Sequence, residues 1–320
     1  MVWFCFNRFL HAVGLVCLAT LATQSAMAKT GAHPDRAGTL AVPELQEASG
    51  LIVLEGRRGQ PVLVAHNDDD DTRLYRLDAG GAAYGTWQLE GVRNRDWEAM
   101  TLIRRGYPHV EGALLVVGDI GDNAGVYRKI NLLIFRLPES PPDAPGNVKL
   151  PLLDRLAITY PEGPRDAESL AWDPSDRCFY LLSKREFPAR WYRIRPRPPG
   201  GTGVVEATLL GDVSTLPQPR PVDWKEQRFL RWSGQATDMA VNPDGSRLAI
   251  LTYKDPVLYE RQPGEAWLEA LRRSPRVLDT VQLPQAEALA WGPGGEALFI
   301  LSEGTGTPVL RVVPPRRGTP

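Results

Sequence analysis

The chain has 320 residues, with 37 Lys and Arg against 38 Asp and Glu and a formal net charge of −1 at pH 7. No basic block interleaves with aromatic residues, which excludes the electrostatic footprint of a nucleic-acid binder. Three cysteines exclude a disulfide scaffold, and 29 prolines with 30 glycines predict many short strands joined by tight turns.

The first 28 residues read as a signal peptide. Arg8 precedes an apolar run from Phe9 through Ala22, and Ala26-Met27-Ala28 supplies the small-x-small cleavage pattern. The competing reading is a retained anchor, for which the run is short. Residues 29–37 follow as a leader, and 38–320 as the folded domain, exported to the periplasm or the exterior. Cleavage leaves Cys178 as the one thiol, in the apolar stretch Cys178-Phe179-Tyr180-Leu181-Leu182, where a buried and inert thiol is expected.

A repeat then runs through the chain. Its first copy pairs Ser49–Leu54 with Pro61–His66, and its second pairs Glu98–Ile103 with Ala113–Gly118. The next three align without a gap over Glu168–Ser183, Thr237–Thr252 and Glu287–Ser302. Each of these three is a short strand, a turn with Pro then Gly or Asp, and an apolar strand ending in a hydroxyl. The anchors Ser49, Glu98, Glu168, Thr237 and Glu287 are separated by 49, 70, 69 and 50 residues. Such periods suit propeller blades and exceed those of the shorter solenoid repeats. Third strands are predicted at Arg73–Leu77, Leu132–Arg136, Arg190–Ile194, Val257–Glu260 and Val309–Val313. Fourth strands are predicted at Thr86–Glu90, Arg155–Tyr160, Glu206–Leu210 and Leu278–Leu283.

The fifth repeat runs out before a fourth strand, which Thr39–Pro43 can supply by closing the ring and covering its open edge. The expected fold is therefore all-β: one monomeric five-bladed β-propeller of four-stranded blades. The rival is a six-bladed ring with a degenerate blade in Gly211–Trp232. Pro-rich stretches at 138–151, 196–203 and 216–222 read as loops.

In such a ring the anchors meet on the axis. Glu98, Glu168 and Glu287 would share a narrow channel with the hydroxyls of Ser49 and Thr237. Clustered carboxylates raise one another's pKa, and a buried unpaired charge is costly. A hard oxygen-only ligand set then predicts Ca2+ on the axis. The alternative is that the glutamates bind waters and backbone amides.

The second strands all end at the same mouth, delivering His66, Asn67 and Asp68, then Asp119 and Asp122, Lys184 and Arg185, Tyr253 and Lys254, and Glu303. Lys184, Arg185, Arg190 and Lys254 could clamp an anionic ligand. An Asp among Asp68, Asp69, Asp119 and Asp122 could serve as a general base toward water. The competing reading of the acidic run is a solvated turn; His66 reads equally as a mouth residue and as an ordinary hydrogen-bonding one. No Gly-x-Ser-x-Gly elbow, His-Glu-x-x-His or phosphate-binding Gly-x-x-x-x-Gly-Lys loop occurs. Trp97, Trp172 and Trp291 are expected to wedge between blades.

The order Ser49, Glu98, Glu168, Thr237, Glu287 resembles that of the calcium-activated nucleotidases (apyrases), five-bladed propellers with Ca2+ on the axis. Glu168-Ser169-Leu170-Ala171-Trp172 with Leu182-Ser183-Lys184-Arg185 is similar to that family's third blade, and Leu251-Thr252-Tyr253-Lys254 to its fourth. Ser49-Gly50-Leu51-Ile52-Val53 with Asn67-Asp68-Asp69 is similar to its first. The resemblance implies a Ca-dependent hydrolase of a phosphoanhydride or phosphoester. Gly118-Asp119-Ile120-Gly121-Asp122-Asn123 and the run Asp68–Asp71 depart from that pattern. With Asp96-Trp97-Glu98, they resemble a group of secreted bacterial propellers instead. The functional alternative is a non-catalytic propeller that binds a peptide, a glycan or an envelope partner.

Overall fold

The computed structural model describes residues 34–68, 71–218, 234–281 and 283–317. The proposed signal peptide, Asp69, and most of the segment suspected of hiding a sixth blade lie outside the described residues. Among the described residues, no helix is long and apolar enough to cross a membrane.

The chain is a five-bladed β-propeller. After β1 (Pro34–Thr39), blade 1 comprises β2 (Ala48–Glu55), β3 (Pro61–Asn67), β4 (Arg73–Asp78) and β5 (Ala83–Glu90). Blade 2 comprises β6 (Trp97–Ile103), β7 (Leu114–Asp119), β8 (Ile130–Arg136) and β9 (Val148–Thr159). Blade 3 holds β10 (Ala167–Asp173), β11 (Cys178–Ser183), β12 (Ala189–Ile194) and β14 (Thr208–Val213), while the two-residue β13 (Val205–Glu206) just before β14 pairs in parallel with β9 of blade 2. Blade 4 holds β15 (Ala236–Val241), β16 (Arg247–Thr252), β17 (Val257–Glu260) and β18 (Arg276–Val277). Blade 5 holds β19 (Ala286–Trp291), β20 (Leu298–Ser302) and β21 (Pro308–Val312), completed by β1 on its outer edge.

The inner strands β2, β6, β10, β15 and β19 pack side by side in a closed circuit, β19 against β2. Five apolar clusters sit one at each blade interface, including Leu51, Val53 and Leu63 of blade 1 against Ala288, Phe299 and Leu301 of blade 5. Among the described residues, that closure accounts for every inter-blade face with five blades. Trp97, Trp172 and Trp291 are all buried in these interfaces, as wedges. Cys178 is buried in the cluster between blades 3 and 4, and burial pushes its thiol up to about 11, so it is inert.

The hairpin turns follow from their side chains. Asp173 Oδ1 accepts the amides of Ser175 at 2.7 Å and Asp176 at 3.1 Å, and Asn242 Oδ1 accepts those of Ser246 and Arg247, each at 2.9 Å.

Three outer-strand expectations are corrected. The ring closes on Pro34–Thr39 rather than Thr39–Pro43, because Leu40, Val42 and Leu45 turn into the core between blades 5 and 1. The fourth strand of blade 2 starts at Val148, inside the expected loop, because its first residues pair in parallel with β5. The buried Arg76 holds the preceding proline-rich segment by donating to the carbonyls of Pro142 at 2.8 Å, Ala144 at 2.7 Å and Gly146. The fourth strand of blade 4 is only Arg276–Val277, since a one-turn helix, α1 (Trp267–Leu271), fills that edge with Trp267 and Leu271.

Candidate functional site

All five anchors occupy one structural position. In each inner strand the pairing register slips at that residue, between Ala48 and Gly50, Trp97 and Ala99, Ala167 and Ser169, Ala236 and Asp238, and Ala286 and Ala288. A bulge leaves its residue unpaired and re-aims the side chain. Here the fold repeats that device five times around one axis. Glu98, Glu168 and Glu287 are each only 4% exposed.

Around them runs a connected polar network. Ser49 Oγ donates to Glu98 Oε2 at 3.0 Å, and Asp96 hydrogen-bonds Glu98. Lys184 Nζ pairs with Glu168 Oε1 and donates to the Tyr253 hydroxyl at 2.8 Å, which in turn donates to Glu287 Oε1 at 2.8 Å. Gln285 Nε2 bridges Glu287 at 3.0 Å and Glu303 at 2.7 Å. Five carboxyl groups thus meet a single ammonium.

The electrostatics follow from that count. Burial first, then Glu168, pushes Glu98 well above the usual carboxylate range. Burial lifts Glu168 to about 8 although Lys184 opposes it, and burial with the Glu287 contact lifts Glu303 to about 9. Asp96 is raised by burial. Burial works against the charge on Lys184, but Glu168 and Glu287 outweigh it and hold its pKa above the ordinary value. The mouth therefore retains protons at neutral pH. Glu168 Oε2 is buried and has no hydrogen-bond partner.

Two glycines make the close approach possible. A Cβ on Gly121 would stand 2.4 Å from Asp96 Cγ and 2.7 Å from Glu98 Oε1, and one on Gly50 would stand 2.3 Å from His66 Nε2.

Several expected mouth residues are engaged elsewhere. Thr237 shares the bulge, but its hydroxyl donates to the Ala286 carbonyl at 2.8 Å. Asp122 caps its own loop by accepting the amides of Val126 and Tyr127, each at 2.8 Å. Asp119 faces Arg95 at 3.4 Å and accepts Asn131 Nδ2 at 2.9 Å. Asn67 fixes the approach to β2, accepting the Glu47 amide at 3.1 Å and donating to the Glu44 carbonyl at 2.8 Å. His66 is buried between blades, edge-on to Trp97, with Nδ1 2.8 Å from the Asn67 carbonyl; burial lowers it to about 4, so it is neutral. Asp68 feels Glu303 electrostatically, and its backbone spans Glu47 and Trp97. Lys254 lies in the β16–β17 turn, its amide donating to Thr252 Oγ1 at 3.2 Å.

Three of the four cations expected to clamp an anion are paired with acidic or amide side chains. Lys184 turns inward to Glu168, Arg185 pairs with Asp166 at 2.7 Å and with Asn123, and Arg190 pairs with Glu162 at 3.1 Å. Each cation neutralises a carboxylate of its own blade, the cheaper state for charges this crowded.

Sequence reasoning missed the part played by Asp96 and Gln285, and a signal for it existed. Each stands two residues before an anchor, as do Glu47, Asp166 and Gln235. In four blades the carbonyl at that position accepts an amide from just beyond the second strand: Asp68 to Glu47, Gly121 to Asp96, Lys184 to Asp166, Glu303 to Gln285. It also missed Asp238, buried one residue past Thr237, which accepts the amides of Met239 at 2.8 Å and Leu289 at 2.7 Å and so ties β15 to β19.

No family model matches the chain, and no curated protein matches it. Among solved structures it is similar to XC5397 from Xanthomonas campestris, described as a gluconolactonase. The identity is 14% and the TM-score 0.39, over 82% of this chain and 71% of that one. The fold assignment rests on the sheet order and the closed ring given above.

Proposed function

We propose that the protein is a divalent-cation-dependent hydrolase whose axial mouth takes up the ion. The observation that carries this reading is five carboxyl groups, three of them buried and two half-buried, around one ammonium among the described residues, with an oxygen of Glu168 left unpartnered. Among the described residues no three acidic, His or Cys groups already converge as a metal cage. The donor chemistry nevertheless fits a hard cation, being oxygen only, and favours Ca2+. Glu98, Glu168 and Glu287 would hold it, with Glu303 beside them. A bound ion supplies Lewis-acid polarisation of a substrate oxygen.

The chain's own residues have two further tasks. Glu303, held protonated near neutral pH, is suited to donate a proton to a leaving group. Lys184 and Tyr253 orient Glu168 and Glu287. The substrate class this suits is an anionic phosphoester or phosphoanhydride, whose oxygens would face the ion, an expectation that also draws on the resemblance of the anchor order to that of the calcium-activated nucleotidases. The protein would act after export, as a monomer.

The test is phosphate release from nucleoside di- and triphosphates by the purified protein, with Ca2+ and with chelator. Calcium-dependent turnover that Glu168→Gln abolishes is expected; turnover indifferent to chelator contradicts the reading. The ion pairing of Lys184, Arg185 and Arg190 favours a second reading, a propeller that binds a peptide, glycan or envelope partner without turning it over. Calcium binding without release of phosphate from any of these substrates would support it.

A further inference from the structure

The far end of the axis carries a second, unrelated site. There the inner strands run out of the ring, and a cavity of about 320 Å3 opens among them. All five blades line it, through Leu51, Met100, Trp172, Ala240 and Trp291 among others. Leu51 and Met100 lie just two residues beyond the mouth residues Ser49 and Glu98, so one layer of apolar side chains separates the two ends.

The chemistry of this end is the reverse of the mouth's. Its wall is mostly aliphatic side chains and indoles, with Thr101 and Asn242 as uncharged polar members, and no carboxylate is among its lining residues. Arg104 and Arg105, from the turn after β6, stand exposed at its rim. The volume is at the lower end of small-molecule pockets, which are mostly apolar with a few converging polar groups. Apolar surface kept open to water is costly, at about 25 cal/mol per Å2. Glu55 lies within electrostatic reach of Arg104, but the two adjacent guanidiniums outnumber it and favour an anion at the rim.

We propose that this pocket binds a small amphipathic carboxylate, such as a medium-chain fatty acid, with its chain among Trp172, Trp291 and Met100 and its head at Arg104 and Arg105. The occupant is fixed by charge and volume together. An apolar body alone would leave the guanidiniums unused, and a larger anion would not enter. The inference is independent of any cation at the mouth.

Decanoate, below its micellar concentration, is the probe, followed by calorimetry and by the fluorescence of Trp172 and Trp291 in the intact protein with chelator present. Saturable one-to-one binding is expected, with decanol at least about tenfold weaker for want of the charged head. Arg104→Gln with Arg105→Gln, a surface change that leaves the melting temperature in place, should weaken decanoate about tenfold and leave decanol unchanged. Ala240→Trp, which fills the cavity, should abolish both. Non-saturable binding, or binding indifferent to the arginine pair and to Ala240→Trp, overturns the proposal. So does a concentration-dependent dimer in sedimentation that the arginine pair disrupts, because a second copy would then be the occupant.

Discussion

The two ends of the axial channel are built by the same five strands and follow opposite rules. At the mouth the repeat places a bulged residue, and three of the five are buried glutamates. A few residues further along the same strands the lining is aliphatic and aromatic. Every inner strand is bulged at the mouth and pairs in regular register beyond it, so the two ends differ in backbone as well as in side chains. The apolar end contributes burial and costs little. The mouth costs desolvation of carboxyl groups that one ammonium cannot offset, which is a cost stability alone does not explain.

The largest expected effect breaks the mouth. Above a pH of about 8, where Glu168 is ionised, Lys184→Met leaves it buried without its counter-charge and should cost about 3–5 kcal/mol in chemical denaturation. The double variant with Glu168→Gln should recover much of that loss. The same Lys184→Met change removes the charge that competes with a metal, so Ca2+ should bind the variant more tightly than the parent; weaker binding would count against the cation reading.

Leu170→Ala, in the apolar cluster two residues past Glu168, should cost about 2–5 kcal/mol, whether or not calcium is present. A calcium-dependent cost there would blur the distinction between the two ends.

The pH dependence sharpens it. Glu98, Glu168 and Glu303 have folded pKa values above their unfolded ones, so the folded chain binds more protons across this window. Their stabilising contribution is complete below the unfolded carboxylate range and is lost as pH rises through about 8 and 9. With chelator, the melting temperature should fall between pH 6 and pH 9, roughly the window those values define. Calcium should lessen the fall, and Glu303→Gln should flatten it. A rise over that window contradicts the assignment.

The smallest effect is at the rim of the mouth. Arg185→Gln removes the part-exposed partner of the buried Asp166, which keeps the Asp122 amide as a donor, and should cost about 1–3 kcal/mol.

The sequence makes the repeat legible because a polar residue, Glu, Ser or Thr, recurs at the bulge, and in three blades at a fixed offset from a Pro-containing turn, so Glu168, Thr237 and Glu287 align without gaps. Wedging tryptophans and the closed ring follow from the same pattern. Outer strands were harder to read. Their pairing depends on partners distant in sequence, as with Val148 against Trp87, and on a helix that takes over the edge of blade 4. The direction of Lys184 was illegible for a different reason. A lysine at a strand end reaches inward or outward with equal ease, and only the surplus of carboxylates on the axis turns it in. Asp122 and Asn67 read as site residues because polar turn residues and ligand residues have the same composition; only their hydrogen bonds separate them.

The central claim is that the mouth exchanges protons for a divalent ion. Calorimetric titration of the protein with Ca2+ at pH 7, in two buffers of different ionisation enthalpy, counts those protons directly. The account predicts one bound ion and release of about one proton or more, with both lost in Glu168→Gln with Glu287→Gln. Absence of binding, or binding that releases no proton and survives those substitutions, would contradict it.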